Sequence, residues 1–262
     1  MVRVLAILFA GAVLSASDRS IKPELESGAS AVFIEHGVAT PNGSAPFAVS
    51  VAAPPAPGRP VSHVCTGLFI GKGLVVTARH CLRDHAAADL IVRYGSVNLD
   101  AALRAKVKET ACSPNLDAAL LFLEASIEIP TAKLGSATSG KAVAFGWGDS
   151  SFPSKVLKPG RSPNLLQAAM TITKEAGACV MSADRVCAEA PSAGPCAGDS
   201  GGPLVKGKSK VVGVLSTVSS CPRSDGEKSA ATYTSGSSVK KWVRDAAKLT
   251  AAQRQAAFAC QP

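Results

Sequence analysis

Three segments that lie far apart in the chain carry the side chains that nucleophilic catalysis requires. A serine is flanked by glycines in "GDSGG", a histidine ends "VVTARH", and an aspartate begins "DAALLFL". A serine hydroxyl is a weak nucleophile until a neighbouring base removes its proton, and an acid behind that base fixes its tautomer and stabilises its charged form. Ser200 is therefore a candidate nucleophile, His80 a candidate general base and Asp117 a candidate orienting acid.

Each of these residues also has a purely structural interpretation. His80 could be a hydrogen-bonded histidine at a strand end, Asp117 a strand-capping residue and Ser200 part of a glycine-rich turn. A carboxylate beside an apolar run is costly to bury unless it is paired and hydrogen-bonded, which suits an acid that orients a histidine. The other histidines lie in polar stretches rich in Gly or Ala, and we expect their rings to be exposed: His36, His63 and His85.

The glycines on either side of Ser200 add a second chemical feature. Without side chains, Gly198 and Gly201 let the backbone approach a substrate carbonyl closely. Two backbone N–H groups there could face the negative charge that develops on the carbonyl oxygen during nucleophilic attack.

The segments that must position these residues are short and β-like. Apolar and β-branched runs bounded by Gly, Pro, Asn or Asp predict strands, and they occur at 46–51, 64–70, 73–78, 89–95, 117–123, 141–148, 165–172, 202–205, 210–218 and 230–235. One helical pattern with an apolar face runs from 237 to 259. The sequence therefore predicts an all-β sandwich or barrel with a terminal helix, in two groups of strands that meet near 131–140.

The amino-terminal segment is typical of an exported protein. One arginine precedes an eleven-residue apolar run and then small residues, which predicts a signal peptide over 1–17, since a membrane span needs about 20 apolar residues. Residues 18–33 are polar and then small, and we interpret them as a pro-segment. The folded domain is then 34–262, in a secreted or periplasmic protein with no stable membrane insertion.

The eight cysteines suit that compartment. An even number of cysteines in an exported chain predicts disulfide bonds, and eight cysteines allow 105 pairings, so their number leaves the connectivity open. A zinc site would need a second close pair of ligands beside His80 and Cys81, and the sequence offers none. We expect no metal and no cofactor.

Composition narrows the choice of partners. The chain is 47% hydrophobic and 18% charged, as in globular proteins. Its net charge of +9 is spread along the sequence without a basic block or interleaved aromatic residues, so nucleic-acid binding is not indicated, although loose attraction to anionic surfaces is compatible with it.

Four segments together resemble the signature segments of the trypsin/chymotrypsin-like serine proteases. They are "TARHC" at 77–81, "LDAALL" at 116–121, "FGWG" at 145–148 and "GDSGGPLV" at 198–205, in the family's order and at about its spacing. The likeness runs from about 34 to 245. It implies two antiparallel six-stranded β-barrels with the site in the cleft between them and a closing C-terminal helix.

The resemblance also implies roles for individual residues. His80, Asp117 and Ser200 become the catalytic triad, and the N–H groups of Gly198 and Ser200 become the oxyanion hole. Ser216 supports the buried acid, and Ser216, Thr217 and Val218 form the strand that pairs with the substrate backbone. The family's disulfides correspond to Cys65–Cys81, Cys179–Cys187 and Cys196–Cys221, which leaves Cys112–Cys260.

Specificity and activation follow from the same resemblance. Gly194 occupies the floor of the primary specificity pocket, where no carboxylate is available to pair with Arg or Lys. Val218 and Ala231 stand at wall positions that are glycines in wide pockets, so we expect an elastase-like preference for small aliphatic residues. Ile34 would become the new amino terminus of a zymogen and pair with Asp199.

The resemblance therefore predicts a monomeric serine endopeptidase that acts on protein or peptide substrates. Two alternatives are kept. One is a catalytically inactive protease-fold binding protein, and the other is a non-proteolytic hydrolase or cationic surface-binding protein. Arg79, where the family commonly has Ala, has no explanation at the level of the sequence.

Overall fold

The computed structural model describes residues 34, 36–54, 61–148, 163–222 and 227–260. The predicted signal peptide, the pro-segment and most of the proline-rich loop at 52–60 lie outside these residues. None of the helices in the described ranges has the length and apolar character that a membrane-spanning helix needs.

The described residues include sixteen strands. They are β1 (Val38–Ala39), β2 (Ala48–Ala53), β3 (Ser62–Gly71), β4 (Leu74–Thr77), β5 (Ile91–Tyr94), β6 (Leu103–Cys112), β7 (Ala119–Leu123), β8 (Lys133–Leu134), β9 (Gly140–Gly146), β10 (Leu166–Thr173), β11 (Glu175–Ala176), β12 (Cys179–Val180), β13 (Arg185–Ala190), β14 (Pro203–Lys206), β15 (Lys210–Ser220) and β16 (Ser229–Ser235).

Twelve of these strands form two antiparallel six-stranded barrels, as predicted. The first closes in the order β2-β3-β4-β7-β6-β5, because β5 pairs back onto β2. The second runs β10-β13-β16-β15-β14-β9 and closes where β9 pairs with β10. The short β8 lies in the predicted boundary at 131–140 and pairs in parallel with β15, so it belongs with the second barrel.

Side-chain alternation explains how the barrels are filled. In β10 the buried residues recur at every second position and face the second core: Leu166, Ala168, Met170 and Ile172. Strand β7 is buried on both faces, with Leu121 in the core of the first barrel and Leu120 in a cluster that also contains Val214 of the second barrel and Trp242. This double burial explains why 117–123 is an almost continuous apolar run.

The predicted terminal helix is two helices. Helix α1 (Gly236–Ala246) buries Val239, Trp242 and Val243, and helix α2 (Ala251–Phe258) begins after a break. The break coincides with a capping box, in which the Thr250 hydroxyl accepts the Gln253 N–H and the Gln253 side chain accepts the Thr250 N–H. A single helix over 237–259 is therefore wrong, although each half is helical.

Candidate active site

His80 lies just after the end of strand β4 of the first barrel. A short 3₁₀ helix (Arg79–Leu82) follows the strand, and the Cys65–Cys81 disulfide ties it to β3. The adjacent disulfide limits movement of the His80 backbone, while the imidazole remains 31% exposed. The ring is thus positioned by the barrel and still accessible.

His80 and Asp117 are joined by two hydrogen bonds. The His80 backbone N–H donates to Oδ1 of Asp117 at 3.0 Å, and Nδ1 of the ring lies 2.8 Å from Oδ2. An ionised carboxylate only accepts hydrogen bonds, so Nδ1 carries the proton that is shared with Asp117. In the neutral imidazole, Nε2 is then left with an available lone pair.

The carboxylate of Asp117 is stabilised as an anion by several partners. Ser216 Oγ donates to Oδ2 at 2.7 Å, in addition to the bonds from His80. Burial raises the pKa of Asp117, but hydrogen bonds from the His80 ring, the Ser216 hydroxyl and the His80 backbone, together with the His80 charge, bring it below its ordinary value. A small cleft of about 150 Å³ opens over Asp117 and Ser216.

Ser200 lies in a tight turn between the barrels. Its carbonyl oxygen accepts the N–H of Thr66 in β3 at 2.9 Å, and the next residue, Gly201, donates to Leu215 in β15 at 2.8 Å. The same carbonyl oxygen is 4.0 Å from Sγ of Cys81, so Ser200 is close to the His80 segment. Within the described residues its Oγ makes no hydrogen bond to His80; such bonds often tighten only when substrate is bound.

Gly201 is required by the geometry of this turn. Its φ is +79°, in the left-handed region, and a Cβ there would lie 2.2 Å from both Thr66 O and Thr77 Oγ1. Any side chain would separate the serine turn from the first barrel.

His63 is a site residue that sequence reasoning missed. It was expected to be exposed, but it is only 3% exposed, so that expectation is wrong. Its Nε2 lies 3.0 Å from the carbonyl oxygen of Gly198, and its Nδ1 lies 2.8 Å from Ser50 Oγ. Since a carbonyl only accepts, Nε2 is the protonated nitrogen, and in the neutral ring Nδ1 accepts from Ser50.

A usable signal for His63 was present in the sequence. His63 is two residues before Cys65 in β3, and alternate residues of a strand face the same side. Because Cys65 is buried in a disulfide bond, its neighbour on that face also points inward.

Asp199 is buried directly before the candidate nucleophile. It is 1% exposed, and its two carboxylate oxygens accept the N–H groups of Gly148 at 2.7 Å and Cys196 at 2.9 Å. Ile34 is also fully buried, in the core of the second barrel, with a φ of 47° that β-branched residues rarely adopt.

Two of the predicted specificity residues are paired on neighbouring strands of the second barrel. Val218 of β15 lies directly opposite Ala231 of β16, and Ser229 is two residues before Ala231 on the same side of its strand. Gly194 is packed against Ser229, since a Cβ on Gly194 would lie 1.9 Å from Ser229 Oγ. Sequence reasoning missed Ser229, which occupies the space that a side chain at 194 would take.

The structure contains four disulfide bonds. Three are the pairs that the resemblance implied, Cys65–Cys81, Cys179–Cys187 and Cys196–Cys221. The fourth, Cys112–Cys260, is the pair that these three left over. The sulfur atoms of Cys65 and Cys81 lie near His80 at distances that a metal ion could bridge. Because both sulfurs are in a disulfide bond, they are not thiolates, and this cluster does not fit a metal ion.

Arg79 links the two segments that carry His80 and Asp117. Its Nη1 donates to the carbonyl oxygens of Ser113 at 3.0 Å and Pro114 at 3.2 Å, in the turn that precedes Asp117. The arginine that had no explanation in the sequence therefore joins the histidine segment to the aspartate turn.

Comparisons with known proteins agree with this architecture. The family model described as Trypsin matches residues 34–243. Trypsin alpha of Drosophila erecta is 31% identical over 213 residues, which cover 72% of this chain and 78% of that protein. Trypsin of Sarcophaga bullata is 29% identical over 212 residues, which cover 72% of this chain and 80% of that protein.

A solved structure gives the same fold. Neuropsin, a serine protease expressed in the limbic system of mouse brain, superposes with a TM-score of 0.65 at 22% identity, over 80% of this chain and 98% of its own. The two barrels and the family match define a serine endopeptidase. This chain belongs to the trypsin family of serine proteases, whose members act on protein substrates.

Proposed function

We propose that this endopeptidase cleaves peptide bonds with Ser200 as nucleophile, His80 as general base and Asp117 as the acid that orients the base. The observation that carries the proposal is the hydrogen-bond chain from Ser216 Oγ through Asp117 Oδ2 to His80 Nδ1. This chain holds the His80 proton on Nδ1, so Nε2 is the nitrogen that can accept a proton from the serine hydroxyl.

The reaction then has two halves. In the first half, His80 Nε2 takes the hydroxyl proton as Ser200 Oγ bonds to the substrate carbonyl carbon, and the carbonyl electron pair moves onto oxygen. The tetrahedral intermediate collapses, the C–N bond breaks, and the imidazolium gives its proton to the leaving amine. In the second half, water attacks the acyl-enzyme ester, with His80 again taking and returning the proton, and Ser200 is regenerated.

The backbone N–H groups of Gly198 and Ser200 form the proposed oxyanion hole. Neither group donates to an acceptor within the described ranges of the chain, so both are available to a developing negative charge. The His63 ring supports this arrangement, because its bond to the Gly198 carbonyl holds the Gly198–Asp199 peptide, which lies between the two N–H groups.

We propose a preference for small aliphatic residues, such as Ala or Val, before the scissile bond. Gly194 supplies no carboxylate for a basic side chain, and Val218 and Ala231 face each other across two strands. Ser229 fills the space beside Gly194 and is itself fully buried. These four residues together favour a shallow, uncharged pocket.

Export and activation by cleavage complete the proposal. The signal-like segment over 1–17 and four disulfide bonds support secretion or a periplasmic location. Cleavage before Ile34 would give an ammonium group that pairs with buried Asp199. It would also remove the backbone constraint that holds Ile34 at positive φ.

We expect a monomer without nucleic-acid partners or membrane insertion. The inactive binding protein is not favoured, because His80, Asp117 and Ser200 are all present and the first two are already hydrogen-bonded.

A panel of peptide substrates that differ only in the residue before the scissile bond tests the proposal. We expect kcat/KM to be highest for Ala or Val and undetectable for the Ser200→Ala variant. Fastest cleavage after Arg or Phe would overturn the pocket assignment. Mass spectrometry of the active protein tests activation, because fully active material with an amino terminus other than Ile34 would refute the Ile34–Asp199 ion pair.

A further inference from the structure

A second cleft lies beside the catalytic segments, on the first barrel. It has a volume of about 470 Å³, within the ~300–1,000 Å³ range of ligand clefts. Its walls come from the 3₁₀ helix that carries His80, from the turn after β6 and from the end of α2. The lining residues on which the inference depends are Arg79, Arg83, Ser113, Pro114, Ala256 and Phe258.

The cleft is positively charged. Arg79 and Arg83 both line it, and the described residues that line it include no Asp or Glu. Arg79 uses Nη1 for its bonds to the turn, while its Nε and Nη2 donate to no acceptor in the described ranges. Arg83 is exposed and makes no ion pair with any described residue. Two guanidinium groups are therefore available to a carboxylate, which they bind strongly.

The opposite wall is apolar and is fixed in place. Phe258 packs edge-on against Trp242 with ring centroids 6.0 Å apart. The Cys112–Cys260 disulfide joins the end of the chain to β6. Helix α2 is also anchored by Arg254, whose guanidinium binds both carboxylate oxygens of Glu109 in β6. The cleft is thus preformed, which lowers the entropic cost of binding.

The cleft is coupled to the catalytic residues by covalent and hydrogen bonds. Arg79 directly precedes His80, and the turn that it binds directly precedes the Asp117 segment. A segment of a protein substrate held here would lie beside the triad without entering the primary specificity pocket.

We infer that this cleft binds an acidic segment of the protein substrate at a distance from the scissile bond. The guanidinium groups suit a Glu or Asp side chain, and the Ala256 and Phe258 wall suits an aliphatic neighbour. Its effect on cleavage rests on the proposed catalytic function, whereas binding itself does not require catalysis.

Binding is tested with the Ser200→Ala variant of the full chain. A fluorescent peptide that contains Glu and Leu residues is titrated against the protein, alongside a matched peptide in which Gln replaces Glu. We expect the Glu peptide to bind at least about fivefold more tightly, and Arg83→Glu to abolish that difference. Arg244→Glu makes the same charge change on the exposed face of α1 and should alter Kd by less than about twofold.

A second variant distinguishes binding in the cleft from nonspecific attraction of an acidic peptide to a cationic protein. Ala256→Trp fills the cleft without changing its charge, and we expect it to raise the Kd of the Glu peptide at least about fivefold. Equal effects of Arg83→Glu and Arg244→Glu, or an unchanged Kd in Ala256→Trp, would overturn the inference.

Kinetics provide a readout of the active enzyme. Two substrates with the same cleavage sequence are compared, one with a glutamate-rich extension and one with a glutamine-rich extension. We expect kcat/KM to be higher for the glutamate-rich substrate than for the glutamine-rich one, and about equal for the two substrates in Arg83→Glu. Equal kcat/KM values for the two substrates in the unmodified enzyme would contradict the inference. If the unmodified enzyme binds the Glu peptide but hydrolyses neither substrate, the catalytic proposal is refuted and the binding inference stands.

Discussion

The buried His63 gives the sharpest prediction about how the serine turn is held. Replacing His63 with Ala removes its bonds to Ser50 Oγ and to the Gly198 carbonyl, which are 2.8 Å and 3.0 Å long. A net hydrogen bond contributes about 1 kcal/mol, and the fully buried Ser50 hydroxyl left without His63 costs about 1–3 kcal/mol. We therefore expect the free energy of unfolding to fall by about 2–4 kcal/mol.

The catalytic effect is distinct from the loss of stability. The His63 ring holds the carbonyl of the Gly198–Asp199 peptide. Without it, that peptide can turn about the Gly198 Cα, and the Gly198 N–H, which belongs to the preceding peptide, is held less firmly toward the developing oxyanion. Loss of one oxyanion-hole donor lowers kcat by a factor of about 10²–10³. A donor that is only loosened, as in His63→Ala, should therefore lower kcat at least about tenfold. KM should change by less than about twofold, because this donor acts mainly on the transition state.

Steady-state kinetics and urea unfolding of the same variants check both effects. His85→Ala is the matched control, since His85 is only half-buried, and it should leave kcat within about twofold. His63→Gln keeps a donor for the Gly198 carbonyl and should recover part of the lost kcat. A His63→Ala variant that is destabilised but retains kcat within about twofold would show that His63 has only a structural role.

Three further predictions concern stability, specificity and pH. Arg254→Ala leaves the partly buried Glu109 without its partner and should lower the free energy of unfolding by about 1–2 kcal/mol in urea, against less than about 0.5 kcal/mol for Lys248→Ala in an exposed pair. Val218→Gly should widen the pocket and raise kcat/KM for Phe relative to Ala substrates at least about tenfold; an unchanged ratio would exclude Val218 from the wall. Since the folded pKa of Asp117 is lowered, its ionised form stabilises the protein above its unfolded pKa near ~4, and this contribution is lost as pH falls through the folded pKa. In urea titrations, the difference in free energy of unfolding between wild type and Asp117→Asn should therefore be constant above about pH 5 and smaller at more acidic pH. A difference that grew on acidification would contradict the lowered pKa of Asp117.

The parts of the fold that could be predicted are those with local signals. Strand β10 alternates buried and exposed residues, and β7 is a short apolar run between turn residues, so both were found from spacing alone. Strand β6 was missed because "LRAKVKETAC" alternates charged residues with small ones, which is weak evidence for burial. The strand forms because β5 and β7 pair with it on either side.

Parts of the site were not predictable, because their partners are distant in the sequence. His63 and Gly198 are 135 residues apart, and Arg254 and Glu109 are 145 apart. No local pattern identifies such partners, and only the closed barrels bring them together. The break before α2 is different, because Thr250 and Gln253 carry the capping-box spacing in the sequence itself.

The role of Ser200 as nucleophile is tested most directly by covalent labelling with a fluorophosphonate, which phosphonylates an activated serine hydroxyl. We expect one adduct, located by peptide mass spectrometry on Ser200, absent in Ser200→Ala and formed far more slowly in His80→Ala. An adduct that persists in Ser200→Ala, or no adduct in protein that begins at Ile34, would contradict the assignment of Ser200 as the nucleophile.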